Sequence, residues 1–313
     1  MGPIRHITLV ILALAVLPAA AQPPAGQPSP GQDPPVVFRS DVSLVRLLTT
    51  VRDFQGRLMG GLDRNEFAVF DNGVRQEIAL FERTTAQPLS IALLMDTSAS
   101  IAKDLRIAVL SVKRFLTALL KEGNPRDEIA LFTFNHAVQQ HTGFTRDVSL
   151  IEQRVKPLRA EAGTSLYDAI RLVSRELERR EGRHVIVIVT DGGDTTSYYN
   201  YQDALEGAHR ADAPIYSLLL TPITNDAGRN LGGENALTTL GESTGGRLFV
   251  TSAGPEMDQA LEDILRDLRT QYLIGYYPKG IPRTASRFHT VRVDVNRANL
   301  RAVTRTGYFQ APE

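Results

Sequence analysis

The sequence predicts an α/β domain with a doubly wound, mostly parallel sheet, flanked by a small β-sandwich built from the N- and C-terminal segments. Three observations predict this class. From Leu89 to Thr270, apolar strands alternate with helical segments, and the strands Leu89–Met95 and His184–Val189 are almost entirely apolar, as strands buried on both faces are. Short β-rich runs separated by turn residues lie on either side of this region.

Residues 1–21 have the pattern of a cleavable signal peptide. Arg5 and His6 precede an apolar run from Ile7 to Leu17, and the small residues Ala19–Ala21 follow it. We expect cleavage after Ala21. The alternative is a membrane anchor, but a spanning helix needs about 20 apolar residues. We therefore expect a secreted or periplasmic bacterial protein with no stable membrane anchor after cleavage.

Two segments precede the α/β domain. Residues 22–35 are rich in Pro, Gly and Gln, which predicts a flexible linker. Residues 36–87 form a β segment, in which Gly60-Gly61 and Asp71-Asn72-Gly73 favour tight turns between antiparallel strands. The predicted strands of this segment are Ser43–Val51, Glu66–Phe70 and Gln76–Phe81.

The α/β domain is assigned to residues 88–270. Its predicted strands are Leu89–Met95, Asp127–Phe134, Ala137–Gly143, His184–Val189, Ile215–Leu220 and Arg247–Thr251. Its predicted helices are Lys103–Leu120, Tyr167–Arg180, Tyr201–Ala211, Ala236–Thr244 and Glu256–Thr270.

Residues 271–313 return to a β pattern and are expected to pair with residues 36–87. Val291, Val293 and Val295 alternate as in a strand with one buried face. The predicted strands are Gln271–Tyr277, Phe288–Asn296 and Arg301–Phe309.

The composition excludes some classes of function. The chain has 35 basic and 35 acidic residues, whereas a protein that binds nucleic acid usually has a basic excess or a basic stripe. It has no cysteine, so it forms no disulfide. About 290 residues after cleavage are enough to bury a core without such cross-links.

Polar side chains follow the first buried strand. Asp96, Ser98 and Ser100 alternate in the loop after Met95. Ligands of open α/β sheets gather at the carboxyl ends of the strands, and carboxylate and hydroxyl oxygens suit a hard cation. The three residues therefore predict a metal site at this edge of the sheet.

Two further loops belong to the same edge. Thr164 follows Gly163 just before a helix, and Asp191 ends the second buried strand in Thr190-Asp191-Gly192. Each is a weak signal alone, because a Thr before a helix is usually an N-cap and an Asp-Gly pair is usually a turn.

Together the three loops resemble the metal-ion-dependent adhesion site of von Willebrand factor type A (VWFA) domains. The resemblance covers Pro88 to Thr270, and its flanks, around Gly60–Phe67 and Gln271–Pro278, resemble secreted bacterial VWFA-related proteins. It implies a divalent cation, Mg²⁺ in the first place with Ca²⁺ or Mn²⁺ as alternatives. The implied hydroxyl ligands are Ser98, Ser100 and Thr164, and the implied carboxylates, reaching the ion directly or through water, are Asp96 and Asp191.

The resemblance implies a binding module rather than an enzyme. Its ion would hold an acidic group of a protein or peptide partner. Asp168, Asp194, Tyr198 and Tyr199 are candidates for the surroundings or rim of the site. For Asp168, a position in the first helical turn favours a helix-dipole role.

Two alternatives remain open. One is a metal-dependent hydrolase, although the sequence has no Gly-x-Ser-x-Gly, His-Glu-x-x-His or phosphate-binding Gly-rich motif. The other is a scaffold whose metal only holds the loops together. Such a scaffold would show metal-dependent melting without a metal-dependent partner.

Overall fold

The computed structural model describes residues 44–83, 87–155, 158–221, 230–281 and 287–310. The predicted signal peptide, the predicted linker and residues 36–43 lie outside the described residues. Within the described part of the chain, no helix has the length and apolarity needed to cross a membrane.

The described residues form strands and helices that alternate in the middle of the chain. The strands are β1 (Val45–Asp53), β2 (Phe67–Asp71), β3 (Val74–Gln76), β4 (Ile78–Arg83), β5 (Leu89–Asp96), β6 (Glu128–Phe134), β7 (Val138–Gln140), β8 (Arg183–Thr190), β9 (Ile215–Leu220), β10 (Arg247–Thr251), β11 (Tyr272–Tyr276), β12 (Phe288–Val295), β13 (Leu300–Val303) and β14 (Gly307–Phe309). The helices are α1 (Leu105–Glu122), α2 (Val148–Val155), α3 (Leu166–Leu177), α4 (Tyr201–Arg210), α5 (Leu231–Thr244) and α6 (Pro255–Thr270).

A six-stranded sheet in the order β10-β9-β8-β5-β6-β7 forms the centre of the α/β part. Its strand pairs are parallel except β6–β7, which is antiparallel. Every residue of β5 and β8 is buried, which explains their almost continuous apolar sequences.

Alternate residues of β5 point into two separate cores. Ile91, Leu93 and Met95 belong to the core that α1, α2 and α6 form on one face of the sheet. Ala92 and Leu94 belong to the core that α3, α4 and α5 form on the other face. The sheet is therefore covered by helices on both faces, which confirms the predicted fold class.

The flanking strands form two antiparallel sheets in the orders β13-β1-β11-β4 and β14-β12-β2-β3. Each sheet combines N- and C-terminal segments, because β1 pairs with β11 and β13, and β12 pairs with β2. Residues of both sheets, including Leu47, Val69, Ile274 and Val293, share one apolar core.

A buried ionic contact joins the flanking sheets to the last helix of the α/β part. Arg52 of β1 forms an ion pair with Asp267 of α6, whose side chain is only 3% exposed. Arg247 of β10 lies 3.5 Å from the second Asp267 oxygen. Burial raises the pKa of Asp267, and the two arginines oppose that shift.

The structure differs from the predicted elements at several places. Helix α2 was not predicted, and α5 begins at Leu231 rather than Ala236. The predicted strand Arg301–Phe309 is two short strands, β13 and β14. The predicted strand Gln76–Phe81 is divided, because Gln76 ends β3 in one flanking sheet and Ile78 begins β4 in the other.

Candidate metal-ion site

The topology places the carboxyl ends of β5 and β8 side by side. The chain runs from β5 to β6 on one side, then returns to β8 on the other side of β5. This reversal of strand order creates a crevice between the two strands, where ligands of open α/β sheets bind. Asp96 ends β5, and Asp191 directly follows β8.

Three of the predicted site residues form a chain of hydroxyl and carboxylate contacts in this crevice. The Ser98 and Ser100 Oγ atoms lie 3.0 Å apart, and the Ser100 hydroxyl donates to Asp191 Oδ1 at 3.0 Å. Oxygens around a six-coordinate Mg²⁺ at about 2.1 Å are also spaced by about 3 Å. The spacing of these oxygens therefore fits a small hard cation.

Asp96 is fully buried, in contrast to Ser100 and Asp191. Its Oδ1 accepts a hydrogen bond from the Ser98 N–H at 2.7 Å, and its Oδ2 accepts one from the Thr190 hydroxyl at 2.5 Å. Burial raises the pKa of Asp96 to about 6 and also raises the pKa of Asp191.

Among the described residues, no basic side chain forms an ion pair with either carboxylate. Buried carboxylates are costly to ionise without a cation. Asp96 and Asp191 are therefore charged more readily when a cation lies beside them.

Thr164 is buried and lies in a loop that contacts the loop after β8. Its N–H donates to Thr195 Oγ1 at 2.9 Å, and its carbonyl oxygen accepts the N–H groups of Thr195 and Thr196. The same loop reaches the Ser98 loop, because the Glu161 N–H donates to the Thr97 carbonyl. In the described part of the chain, no hydrogen bond joins the Thr164 hydroxyl directly to the other four residues.

Gly163 explains why the Thr164 loop can lie so close to its neighbour. Its φ is +87°, a left-handed value that favours glycine, and an added Cβ would lie 3.0 Å from His136 Cα. A larger residue at this position would be strained and would crowd His136 in the loop after β6.

Asp168 and Asp194 hold the loop after β8 rather than face the oxygen cluster. The Asp168 carboxylate accepts the N–H groups of Tyr198 and Tyr199. Asp194 accepts the Tyr167 N–H and the Ser197 hydroxyl. Both carboxylates thus fix this loop to the start of α3.

Tyr198 and Tyr199 form an aromatic pair on this loop. The Tyr198 residue is 90% exposed, although its backbone is held by Asp168. Its ring meets that of Tyr199 edge-on at 5.4 Å, and the Arg171 guanidinium lies 6.0 Å from the Tyr199 ring. The loop therefore presents an exposed aromatic side chain on a backbone that is hydrogen-bonded to Asp168.

The donor set fits a hard cation. Carboxylate and hydroxyl oxygens suit Mg²⁺, Ca²⁺ or Mn²⁺. Within the described residues, no group of three or more His, Cys, Asp or Glu side chains is placed to hold a metal, so a cation here would depend on hydroxyls. The sequence did not identify Thr190 as a partner of Asp96; its place in Thr190-Asp191-Gly192 was the available signal.

The comparison with protein-family models matches residues 91–193 to the von Willebrand factor type A domain. This segment contains all five residues predicted to bind the ion. The comparison with curated proteins gives no match.

Solved structures similar to the chain include other domains of this fold. Proximal thread matrix protein 1 of the mussel byssus, with a zinc-occupied MIDAS motif, has a TM-score of 0.51 and 16% identity over 64% of this chain and 50% of that one. The vWF domain of the type V pili tip protein Mfa5 from Porphyromonas gingivalis has a TM-score of 0.48 and 15% identity over 58% of this chain and 95% of that one. This chain thus spans half of the mussel protein, and the similarity to it supports the fold.

Proposed function

Because residues 91–193 match the von Willebrand factor type A domain, we propose that the chain is a non-enzymatic binding module that holds an acidic group of a protein or peptide partner through a divalent cation. The observation that carries this proposal is the oxygen cluster at the β5–β8 crevice. Its neighbouring oxygens lie 3.0 Å apart, the spacing of adjacent ligands around a six-coordinate Mg²⁺, and neither the buried carboxylate of Asp96 nor the partly exposed one of Asp191 has a basic partner among the described residues.

Ser98, Ser100, Thr164, Asp96 and Asp191 would hold the ion, with Mg²⁺ as the first candidate. The ion supplies positive charge at a surface where a partner's carboxylate can coordinate it. The mussel protein, which shares this fold and has a zinc-occupied MIDAS motif, supports the choice of a divalent cation.

The exposure of the cluster favours binding over a purely structural metal. Ser100 is exposed and Asp191 is partly exposed, so the cluster reaches the surface. Tyr198 is exposed on the same loop as Asp191, and exposed aromatic side chains suit a protein interface. We place this module outside the cytoplasm, where the proposed signal peptide would direct it.

Thermal unfolding with and without metal tests the proposal. Mg²⁺ at 100 times its dissociation constant is expected to raise the free energy of unfolding by about 2.7 kcal/mol relative to the chelated protein. Asp191→Ala and Thr164→Ala should lose this response. Thr117→Ala, an exposed threonine on α1, is the matched control and should keep it.

The same melting temperature with Mg²⁺, Ca²⁺, Mn²⁺ and chelator would contradict the proposal. A metal response that persists in both site variants would place the ion elsewhere. If metal raises the melting temperature but peptides containing Asp or Glu never bind in its presence, the metal is structural.

A further inference from the structure

The loop that carries Asp191 lies against the first turn of α5, and the two glycines at this contact bring their backbones close together. Gly193 lies two residues after Asp191, and Gly233 lies in the first turn of α5. A Cβ added at Gly193 would lie 2.7 Å from Gly233 Cα. One added at Gly233 would lie 2.5 Å from Gly193 N and 2.6 Å from Gly193 Cα. Neither position has room for a side chain.

At Gly233, no flexible side chain could move aside to make room for an added Cβ. The atoms that an added Cβ would meet at Gly233 belong to the Gly192 and Gly193 backbone. The other end of α5 is also confined, because a Cβ at Gly241 would lie 2.9 Å from the Arg247 backbone. A shift of the whole helix away from the loop would therefore disturb its packing on β10.

Asn230 closes the same contact from the side. Its Oδ1 accepts the Gly233 N–H at 2.9 Å, as an N-cap does. Its Nδ2 would lie 3.2 Å from a Cβ at Gly193. One side chain thus orders the first turn of α5 and borders the glycine contact.

The Asp191 loop is consequently held at three points. Thr190 bonds Asp96 before it, Asp194 bonds the start of α3 after it, and Gly193 rests on Gly233 between them. The first two contacts are hydrogen bonds. The third is a steric contact, which limits how closely the loop can approach α5.

We propose that Gly233 is a positioning residue for the metal site, because its close contact with Gly193 sets the placement of the Asp191 carboxylate. The inference rests on the proposed function. It assigns to α5, which supplies none of the proposed ligands, a direct influence on metal affinity. Residues that orient metal ligands typically change affinity by about 10- to 100-fold when altered.

Gly233→Ala and Gly232→Ala form a matched pair. Both replace a glycine in the first turn of α5 by alanine, so the gain in helix propensity is the same in the two variants. A Cβ at Gly232 would come no closer than 3.5 Å to Asn230 Oδ1, an ordinary contact. The two variants therefore differ in the contact with the Asp191 loop.

Calorimetric titration of the full chain with Mn²⁺ and with Mg²⁺ tests the inference, at a temperature where far-UV circular dichroism shows all variants folded. We expect wild type and Gly232→Ala to have the same dissociation constant, and Gly233→Ala to bind at least about tenfold more weakly. Binding by Gly233→Ala within twofold of wild type would overturn the inference, whereas wild-type protein that binds neither metal would overturn the proposed function itself.

Asn230→Ala gives a second route if Gly233→Ala does not fold. This variant removes the cap without adding atoms, so it loosens the same turn with less effect on packing. Weaker metal binding with unchanged circular dichroism would support the positioning role. Wild-type affinity in the folded Asn230→Ala protein would contradict it.

Discussion

The two carboxylates at the crevice differ in their hydrogen-bond partners and in their exposure. Asp96 has its two oxygens bonded by Ser98 N–H and by Thr190, so it is oriented by the loop that it begins and by the neighbouring strand. Asp191 instead receives the Ser100 hydroxyl and is partly exposed. The two carboxylates thus have different surroundings, one enclosed and one open to the surface.

The histidine at the end of α4 makes stability depend on pH. His209 is buried beside Phe288 and Phe309. Burial, reinforced by the positive charge of Arg305, lowers its pKa to about 4. Since an unfolded histidine titrates near 6.5, the unfolded chain binds the proton first as the pH falls. This contribution to stability is complete above about pH 6.5 and is lost toward pH 4.

His209→Gln removes this titration. Between pH 7 and pH 4.5, the free energy of unfolding of the wild type should fall by about 2 to 3 kcal/mol more than that of the variant. Urea unfolding at the two pH values measures the difference. Parallel pH profiles for the two proteins would contradict this assignment.

The sequence could predict the candidate residues of the site but not their contacts. Asp96, Ser98, Ser100, Thr164 and Asp191 each stand at the end of a strand or before a helix, a position that local patterns reveal. Thr190 and Gly233 gain their roles from neighbours that are distant in sequence. No local pattern reports such a contact.

Among the elements, the buried strands of the central sheet were easier to predict than helix boundaries. The first turn of α5 contains Gly232 and Gly233, which have low helix propensity, so the sequence favours a later start. Tertiary packing and the Asn230 cap override that preference. Helix α2 has only eight residues, of which Ile151 and Val155 are buried apolar residues. A segment of this length is too short to show a clear helical period of apolar residues.

A buried polar network joins the strands of the two flanking sheets. The fully buried Asp71 at the end of β2 accepts the hydroxyls of Tyr276 and Tyr308 and contacts His289 Nδ1 at 3.1 Å. Burial and the Asp71 carboxylate raise the pKa of both tyrosines. These contacts link β2, β11, β12 and β14 through one side chain.

Asp71→Ala should destabilise the chain by about 3 kcal/mol or more, because it leaves several buried polar groups without their acceptor. Tyr276→Phe removes one hydroxyl and should cost about 1 kcal/mol. Urea unfolding compares the two. An Asp71→Ala cost no larger than that of Tyr276→Phe would show that the network is not organised around the carboxylate.

At the scale of the molecule, the order of the strands brings the site together. Asp96 and Asp191 are far apart in sequence, but the return of the chain to β8 puts them at the carboxyl ends of adjacent strands. The alternation of strands and helices was sufficient to predict this class of sheet. The pairing of residues 36–87 with residues 271–313 was also predicted from the sequence, but which strands are neighbours, such as β1 with β11 and β13, is known only from the structure.

Equilibrium binding of Mn²⁺, followed by the electron paramagnetic resonance signal of the free ion, tests directly whether the β5–β8 crevice binds a cation. We expect one bound ion per chain, which Mg²⁺ displaces and which Asp191→Ala does not bind. Asp294→Ala, which alters a carboxylate in the flanking sheets, should bind like the wild type. An unchanged free-ion signal with the wild-type chain, or equal binding by Asp191→Ala, would contradict a cation site at the β5–β8 crevice.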